Sequence, residues 1–178
     1  MSDFKPGSDT VDVEAMIRVD HAGEYGATRI YAGQLAVLGN KGATAHEVAR
    51  MAEQEKRHLE RFNQLIAERG VRPTLLQPFW DVAGFTLGAA TALMGPRAAM
   101  ACTDAVETEI DKHYAEQLEQ LGDADPELSA DIARFREEEL EHRDTAREHG
   151  SQDAMAYPLL TGVIRLGCRA AIAVAKRI

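Results

Sequence analysis

Displaced by 83 positions against itself, the chain lays HAGEYGATRIYAGQLAVLG (residues 21–39) on DAVETEIDKHYAEQLEQLG (104–122), with eight identities in nineteen positions. The identities include Glu24/Glu107, Tyr31/Tyr114, Gln34/Gln117 and Gly39/Gly122. A displacement of 84 lays ARMAEQEKRH (49–58) on ARFREEELEH (133–142), pairing Glu53 with Glu137, Glu55 with Glu139 and His58 with His142. Self-similarity at a fixed offset marks two copies of one supersecondary unit, each burying its apolar face against the other. Whatever the first half folds into, the second half must fold into as well.

The unit reads as helical. Ser8-Asp9-Thr10 can cap a first helix that runs to about Leu38, where GNKG stops it. Thr44 and Glu47 make a T-x-x-E capping box, predicting a second helix that ends before Gly70. A more apolar segment, PFWDVAGFTLGAATALM (78–94), ends at Gly-Pro, and a fourth helix is expected from about 97 to Leu121. Asp125-Pro126, an N-cap followed by proline at the first helical position, opens a fifth that closes at Gly150; a sixth follows Pro158. No run of alternating β-branched residues competes with these helices. The expected fold is all-α: a ferritin-like four-helix bundle built from two repeated helix pairs, with two additional apolar or amphipathic helices. With 178 residues, 45% of them hydrophobic, one domain over 1–178 with a polar tail at 1–10 accounts for the chain.

What both copies keep is chemically specific. Each has a Glu on its first helix and, 31 or 32 residues later, a Glu-x-x-His on its second. Positions i and i+3 share a helix face, so Glu55/His58 and Glu139/His142 can each aim two side chains at one spot, with Glu24 and Glu107 level with them on the partner helices. Four carboxylates and two imidazoles are the set with which ferritin-like carboxylate proteins hold two metal ions. Buried together the carboxylates would repel, whereas two divalent ions supply +4 against their −4. Oxygen and imidazole donors without thiolate favour iron, with manganese second; calcium rarely takes histidine, and structural zinc usually takes cysteine. A lone Glu-x-x-His in a chain this acidic is ordinarily a solvated helix face. Two copies, each preceded by a Glu at matching distance, reverse that judgement. Glu137, Glu138 and Glu141 read as solvated, with Glu138 also placed to accept a hydrogen bond from a ligand.

Composition excludes some classes. A formal net charge of −9 argues against a nucleic-acid partner. Cys102 and Cys168 form no CxxC and point to a reducing compartment without a thiolate zinc site. The N-terminal MSDFKPGSDT has neither a secretory nor a transit pattern.

The stretches IRVDHAGEYGATRIYAGQLAVLG, EQEKRHL, RPTLLQPFWDVAGFTLGAATALMG, AMACTDAVE and FREEELEHRD resemble the demethoxyubiquinone hydroxylases, di-iron monooxygenases of ubiquinone biosynthesis, from about Glu14 to the C-terminus. The resemblance implies hydroxylation, with O2, of the ring of a demethoxylated polyprenyl benzoquinol to demethylubiquinol. It places Glu24, Glu55, His58, Glu107, Glu139 and His142 on the family's ligand positions for two iron ions. It also implies a polyprenyl quinol as substrate and, in some organisms, a lipid-binding helper protein; the electrons come either from a reduced nicotinamide such as NADH or from a quinol already reduced. The family's mitochondrial members carry a presequence, so this chain is expected at the cytoplasmic face of a bacterial plasma membrane as a peripheral protein. His113 is similar to a family histidine associated with a relay between quinone and metal, and reads equally as a surface residue or as an outer partner of the ligands. Tyr31 and Tyr114 each lie seven residues beyond a ligand Glu on the same face, and read either as hydrogen-bonded core tyrosines or as part of that relay.

Other residues leave two readings open. His21 and its counterpart Asp104 are candidate outer partners of the ligands. Gly23, Gly26 and Gly33 each cost a helix about 1 kcal/mol relative to alanine, which either close packing or room for a flat ring would offset. Segments 78–94 and 158–178 either touch the membrane surface or pack on the bundle or on another subunit of a homo-oligomer. The first is too short, and too interrupted by Asp81, to span a bilayer comfortably, whereas the last carries Arg165 and Arg169 beside a broad apolar surface. A ferritin-type iron store or a rubrerythrin-like peroxidase could use the same ligands. The first leaves the apolar segments unexplained, and the second normally adds a CxxC site that this chain lacks.

Overall fold

The computed structural model describes residues 11–178, and every regular element among them is helical. Six α-helices follow in order: α1 (Val13–Leu38), α2 (Ala43–Arg69), α3 (Gln77–Leu93), α4 (Pro96–Leu121), α5 (Pro126–Glu148) and α6 (Tyr157–Ala175), with a 3-10 turn at Ser151–Asp153 before α6. Helices α1, α2, α4 and α5 form the bundle. Helix α3 lies on α1, and α6 lies on α4. The repeated unit is therefore larger than the helix pair expected from the sequence: each copy is a hairpin plus a third helix laid across its first.

Caps explain the boundaries. The proposed start at Ser8–Thr10 lies outside the described residues; α1 is capped by Asp12, whose Oδ1 accepts from the Ala15 amide at 2.9 Å. The Thr44/Glu47 capping box does not form. Gly42 takes the N-cap position at φ 96°, which only glycine adopts readily, so Thr44 is already inside the helix and Glu47 pairs with Arg50. Asp125 does cap α5, accepting from the Leu128 amide at 3.1 Å while Arg69 holds its carboxylate, with Pro126 in the first turn.

Of the four clusters that make up the core of the described residues, two are related by the repeat. One gathers Ile17 and Phe62 with Tyr114, Ile132 and Phe135; the other gathers Met100 and Ala146 with Tyr31, Val48 and Met51. Under the displacements of 83 and 84 these ten residues are five counterpart pairs, each divided between the clusters. The two copies thus pack head to tail, and their shared midpoint is where the conserved acids meet.

Close backbone approach fixes α3. A Cβ at Gly33 would collide with the Phe85 carbonyl, one at Gly88 with the Ile30 carbonyl, and one at Gly84 would lie 2.9 Å from the Gly26 carbonyl. These three glycines allow α1 and α3 to touch backbone to backbone. Gly23 and Gly26 differ: a Cβ on either meets nothing within 4 Å. Of the three α1 glycines singled out in the sequence, Gly33 serves packing and the other two border open space.

Candidate metal centre

All six acids and histidines of the repeat are buried, none more than 2% exposed, and they converge at the bundle midpoint. They form two overlapping groups whose donor atoms lie within 4.8 Å of one another: Glu24, Glu55, His58 and Glu139, and Glu55, Glu107, Glu139 and His142. Glu55 and Glu139 belong to both. Glu139 sets Oε1 at 3.1 Å from His58 Nδ1 and Oε2 at 3.0 Å from His142 Nδ1. Glu55 does the reverse, with Oε1 at 3.1 Å from His142 Nδ1 and Oε2 at 4.0 Å from His58 Nδ1. Glu24 Oε2 lies 3.5 Å from His58 Nδ1. The geometry is that of two positions, each with its own Glu and His and both sharing two central carboxylates.

The donor set fits two divalent cations. Glu24 Oε2, both Glu55 oxygens and Glu107 Oε2 are buried without a hydrogen-bond partner, a costly arrangement unless cations satisfy them. Without metal the cluster must hold protons instead. Burial and then the charge of Glu139 push Glu55 and Glu107 well above the ordinary carboxylate range. Burial disfavours charged imidazoles, but the surrounding carboxylates win, lifting His58 to about 12 and His142 to about 9. Glu139, buried yet hydrogen-bonded by both rings, is held down to about 2. Glu55, Glu107, His58 and His142 thus hold protons that bound cations would displace.

The two tyrosines reach this centre crosswise. Tyr31 donates to Glu107 Oε1 at 2.9 Å, and Tyr114 donates to Glu24 Oε1. Each phenol braces the ligand Glu of the other copy rather than the one two turns before it. Burial, then the neighbouring glutamates, raise both phenols well above 10, so they remain neutral donors. His113 does not reach the cluster: its Nε2 pairs with Asp20 at 3.2 Å, and its ring lies 6.2 Å from that of Tyr114. His21 and Asp104 do not back the ligands either. His21 bonds Asn63 at 3.0 Å, while Asp104 binds Arg147, accepts from Ser151 and Tyr157, and so ties α4 to the segment before α6. Asn63 and Arg147 are themselves counterparts, so this pairing belongs to hairpin packing.

One residue escaped the sequence reading. Gln54 sits behind His142, its Oε1 3.2 Å from Nε2, as Glu138 sits behind His58 at 3.1 Å. The signal was available, since Gln54 falls on Glu138 under the displacement of 84.

An apolar cavity of about 560 Å³ lies beside the centre, walled by α1, α3, α4 and α6. Gly23 and Gly26, flanking Glu24, line it on one side and Val106, next to Glu107, on another; Trp80, Ile164 and Ala171 close it further out. Its exposed apolar rim includes Phe79 on α3 and Val163 on α6, and Val82, Leu159 and Leu166 are further exposed apolar residues of the same two helices.

Comparison with known proteins finds relatives along most of the chain. The family model described as ubiquinone biosynthesis protein COQ7 matches residues 11–175. The 3-demethoxyubiquinol 3-hydroxylase of Rhodospirillum rubrum is 52% identical over 166 residues, covering 93% of this chain and 78% of the relative. The human NADPH-dependent 3-demethoxyubiquinone 3-hydroxylase is 50% identical, with 93% and 78% covered, and the 5-demethoxyubiquinone hydroxylase of Saccharomyces cerevisiae is 44% identical, again with 93% and 78% covered. A match of this extent, with relatives this similar in a bacterium, a yeast and a mammal, means that the chain belongs to the COQ7 family of ubiquinone biosynthesis proteins.

Proposed function

We propose that this protein is an O2-dependent di-iron monooxygenase that hydroxylates the ring of a demethoxylated polyprenyl benzoquinol, giving demethylubiquinol. The observation that carries the reading is the juxtaposition of six buried metal-ligand side chains with an apolar cavity whose wall includes the residues flanking Glu24 and Glu107. The names of the relatives favour it over the iron-store and peroxidase alternatives.

Glu24 and His58 would hold one ion and Glu107 and His142 the other, with Glu55 and Glu139, which belong to both groups, available to each. Iron bound there supplies O2 activation and redox equivalents. The chain does the rest. Tyr31 and Tyr114 fix the orientation of Glu107 and Glu24. The cavity takes the quinol ring at its glycine-lined floor and the first part of the isoprenoid tail between α3 and α6, excluding water. His113, paired with Asp20 at 3.2 Å, stands outside the metal cluster and would join a relay to it only by way of the neighbouring Tyr114. A reduced nicotinamide provides electrons, in keeping with the NADPH-dependent name of the human relative.

The tail of such a substrate lies in lipid, which gives the apolar rim its role. Helix α6 is the one described helix long and apolar enough to cross a membrane. One of its sides is committed to α4, with Arg169 3.4 Å from Glu109. Its exposed side and that of α3 enter the surface of the bilayer from the cytoplasmic face.

Complementation tests the assignment: a ubiquinone-deficient strain lacking this hydroxylation should regain ubiquinone, read by mass, with the wild-type chain and not with Glu139→Ala. Rescue by both would remove the centre from the reaction, and rescue by neither would remove the substrate.

A further inference from the structure

His58 and His142 are counterparts, yet they are backed differently. Because Nδ1 of each ring faces the central carboxylates, the outward Nε2 carries the hydrogen when a cation is bound. His58 Nε2–H donates to Glu138 Oε2 at 3.1 Å and His142 Nε2–H to Gln54 Oε1 at 3.2 Å. The two acceptors touch each other, Gln54 Nε2 donating to Glu138 Oε2 at 3.3 Å. Arg50 Nη1 also donates to Gln54 Oε1, at 2.8 Å. With two donors at one end and a carboxylate at the other, the amide has a single satisfied orientation.

The outer partners therefore differ in charge, and the guanidinium that Glu138 faces, Arg57 at 3.8 Å, is more distant than the Arg50 guanidinium that donates to Gln54 at 2.8 Å. Glu138 accepts the His58 N–H with a carboxylate, and a carboxylate acceptor there makes the opposite nitrogen a stronger donor to metal. Gln54 is neutral, and its oxygen is already shared with a guanidinium, so His142 gains little. The phenols do not offset this difference, since Tyr114 and Tyr31 give Glu24 and Glu107 one hydrogen bond each.

We propose that Glu138 and Gln54 are positioning residues that make the two metal positions unequal, the Glu24–His58 position holding a divalent ion more tightly than the Glu107–His142 position. This rests on the di-metal reading above, and goes beyond it by ranking the two positions and naming the pair that ranks them.

The test is an anaerobic titration of the metal-stripped full chain with cobalt(II), followed by calorimetry and by the visible absorption of the bound ion. The wild type should take up two ions. Glu138→Gln makes the outer partners alike, so the first step should weaken 10- to 100-fold while the second stays near its place. The absorption band of the first ion should shift, and that of the second should not. Glu141→Gln, an exposed acid on the same helix, should move neither step. Equal positions predict the opposite, because the first ion would then choose the unaltered side: an unchanged first step and a weakened second would overturn the proposal, as would two steps weakened alike. A wild-type chain that binds no pair of ions would remove the di-metal reading itself.

Discussion

Gly26→Ala should raise stability and lower turnover together. In the interior of α1 the replacement gains about 0.8–1 kcal/mol of helix propensity, and the added methyl meets no atom within 4 Å. For a protein of this size 1 kcal/mol moves the midpoint of thermal unfolding by roughly 2–4 °C. The methyl projects into the 560 Å³ cavity beside Glu24, where the quinol ring is proposed to lie, so hydroxylation should fall. Gly88→Ala supplies the contrast. It has the same intrinsic gain, but its methyl collides with the Ile30 carbonyl, and α3 must lift from α1. Overpacking of this kind costs about 1–3 kcal/mol or more, so the net change is a lower midpoint. The assay is a circular-dichroism melt of each metal-free variant beside a mass measurement of hydroxylated quinol. If Gly26→Ala melts as low as Gly88→Ala, the space beside Gly26 is not open. If it melts higher and works at the wild-type rate, that space is not where the ring sits.

Metal uptake should release protons. His58 and His142, held at about 12 and about 9 without metal, are both charged at pH 7 and must lose a proton to bind a cation. Calorimetric titration in two buffers of different ionisation enthalpy should show about two or more protons released per pair of ions, with affinity weakening as pH falls below about 9; release near zero would contradict the charged cluster. The raised histidines stabilise the metal-free chain only while protonated, so their contribution, full below the unfolded imidazole value of about 6.5, should be lost as pH rises through about 9 for His142 and on toward about 12 for His58, and metal should abolish that decline. On the membrane side, Leu166→Glu on the exposed face of α6, where Leu166 is 66% accessible, should leave the helical spectrum unchanged. It should cut flotation with phospholipid vesicles 10-fold or more, the scale of losing one buried leucine; undiminished flotation would place the lipid contact elsewhere.

The order of helices and the convergence of Glu24, Glu55, His58, Glu107, Glu139 and His142 were legible because identity between copies is a one-dimensional signal. Gln54 was not found because its relation to Glu138 is positional and not chemical: an amide and a carboxylate share no letter, though they stand behind equivalent rings. The Thr44/Glu47 box failed because the GNKG turn needs a left-handed residue at its exit, and Gly42 supplies it two residues before the threonine. Glycine gives its helix penalty in the sequence but not its neighbour, so Gly33 and Gly26 looked alike until α3 was seen pressed against one and the cavity against the other. His21 and Asp104 lie on α1 and α4 near the ligands in sequence, yet the turn of the helix directs them to Asn63 and Arg147. The third helix of each copy went unpaired because α3 and α6 keep their place in the unit while sharing little sequence.

The sharing of Glu55 and Glu139 between both positions has a consequence for how the protein matures. One of these bridges comes from the first half and the other from the second, and each phenol braces the opposite half. As the chain leaves the ribosome, α1 and α2 emerge with only three of the six ligands and with Tyr31 facing no glutamate. A metal ion would have no complete place to settle until α5 is out, so loading would be an event of the finished molecule and not of its synthesis.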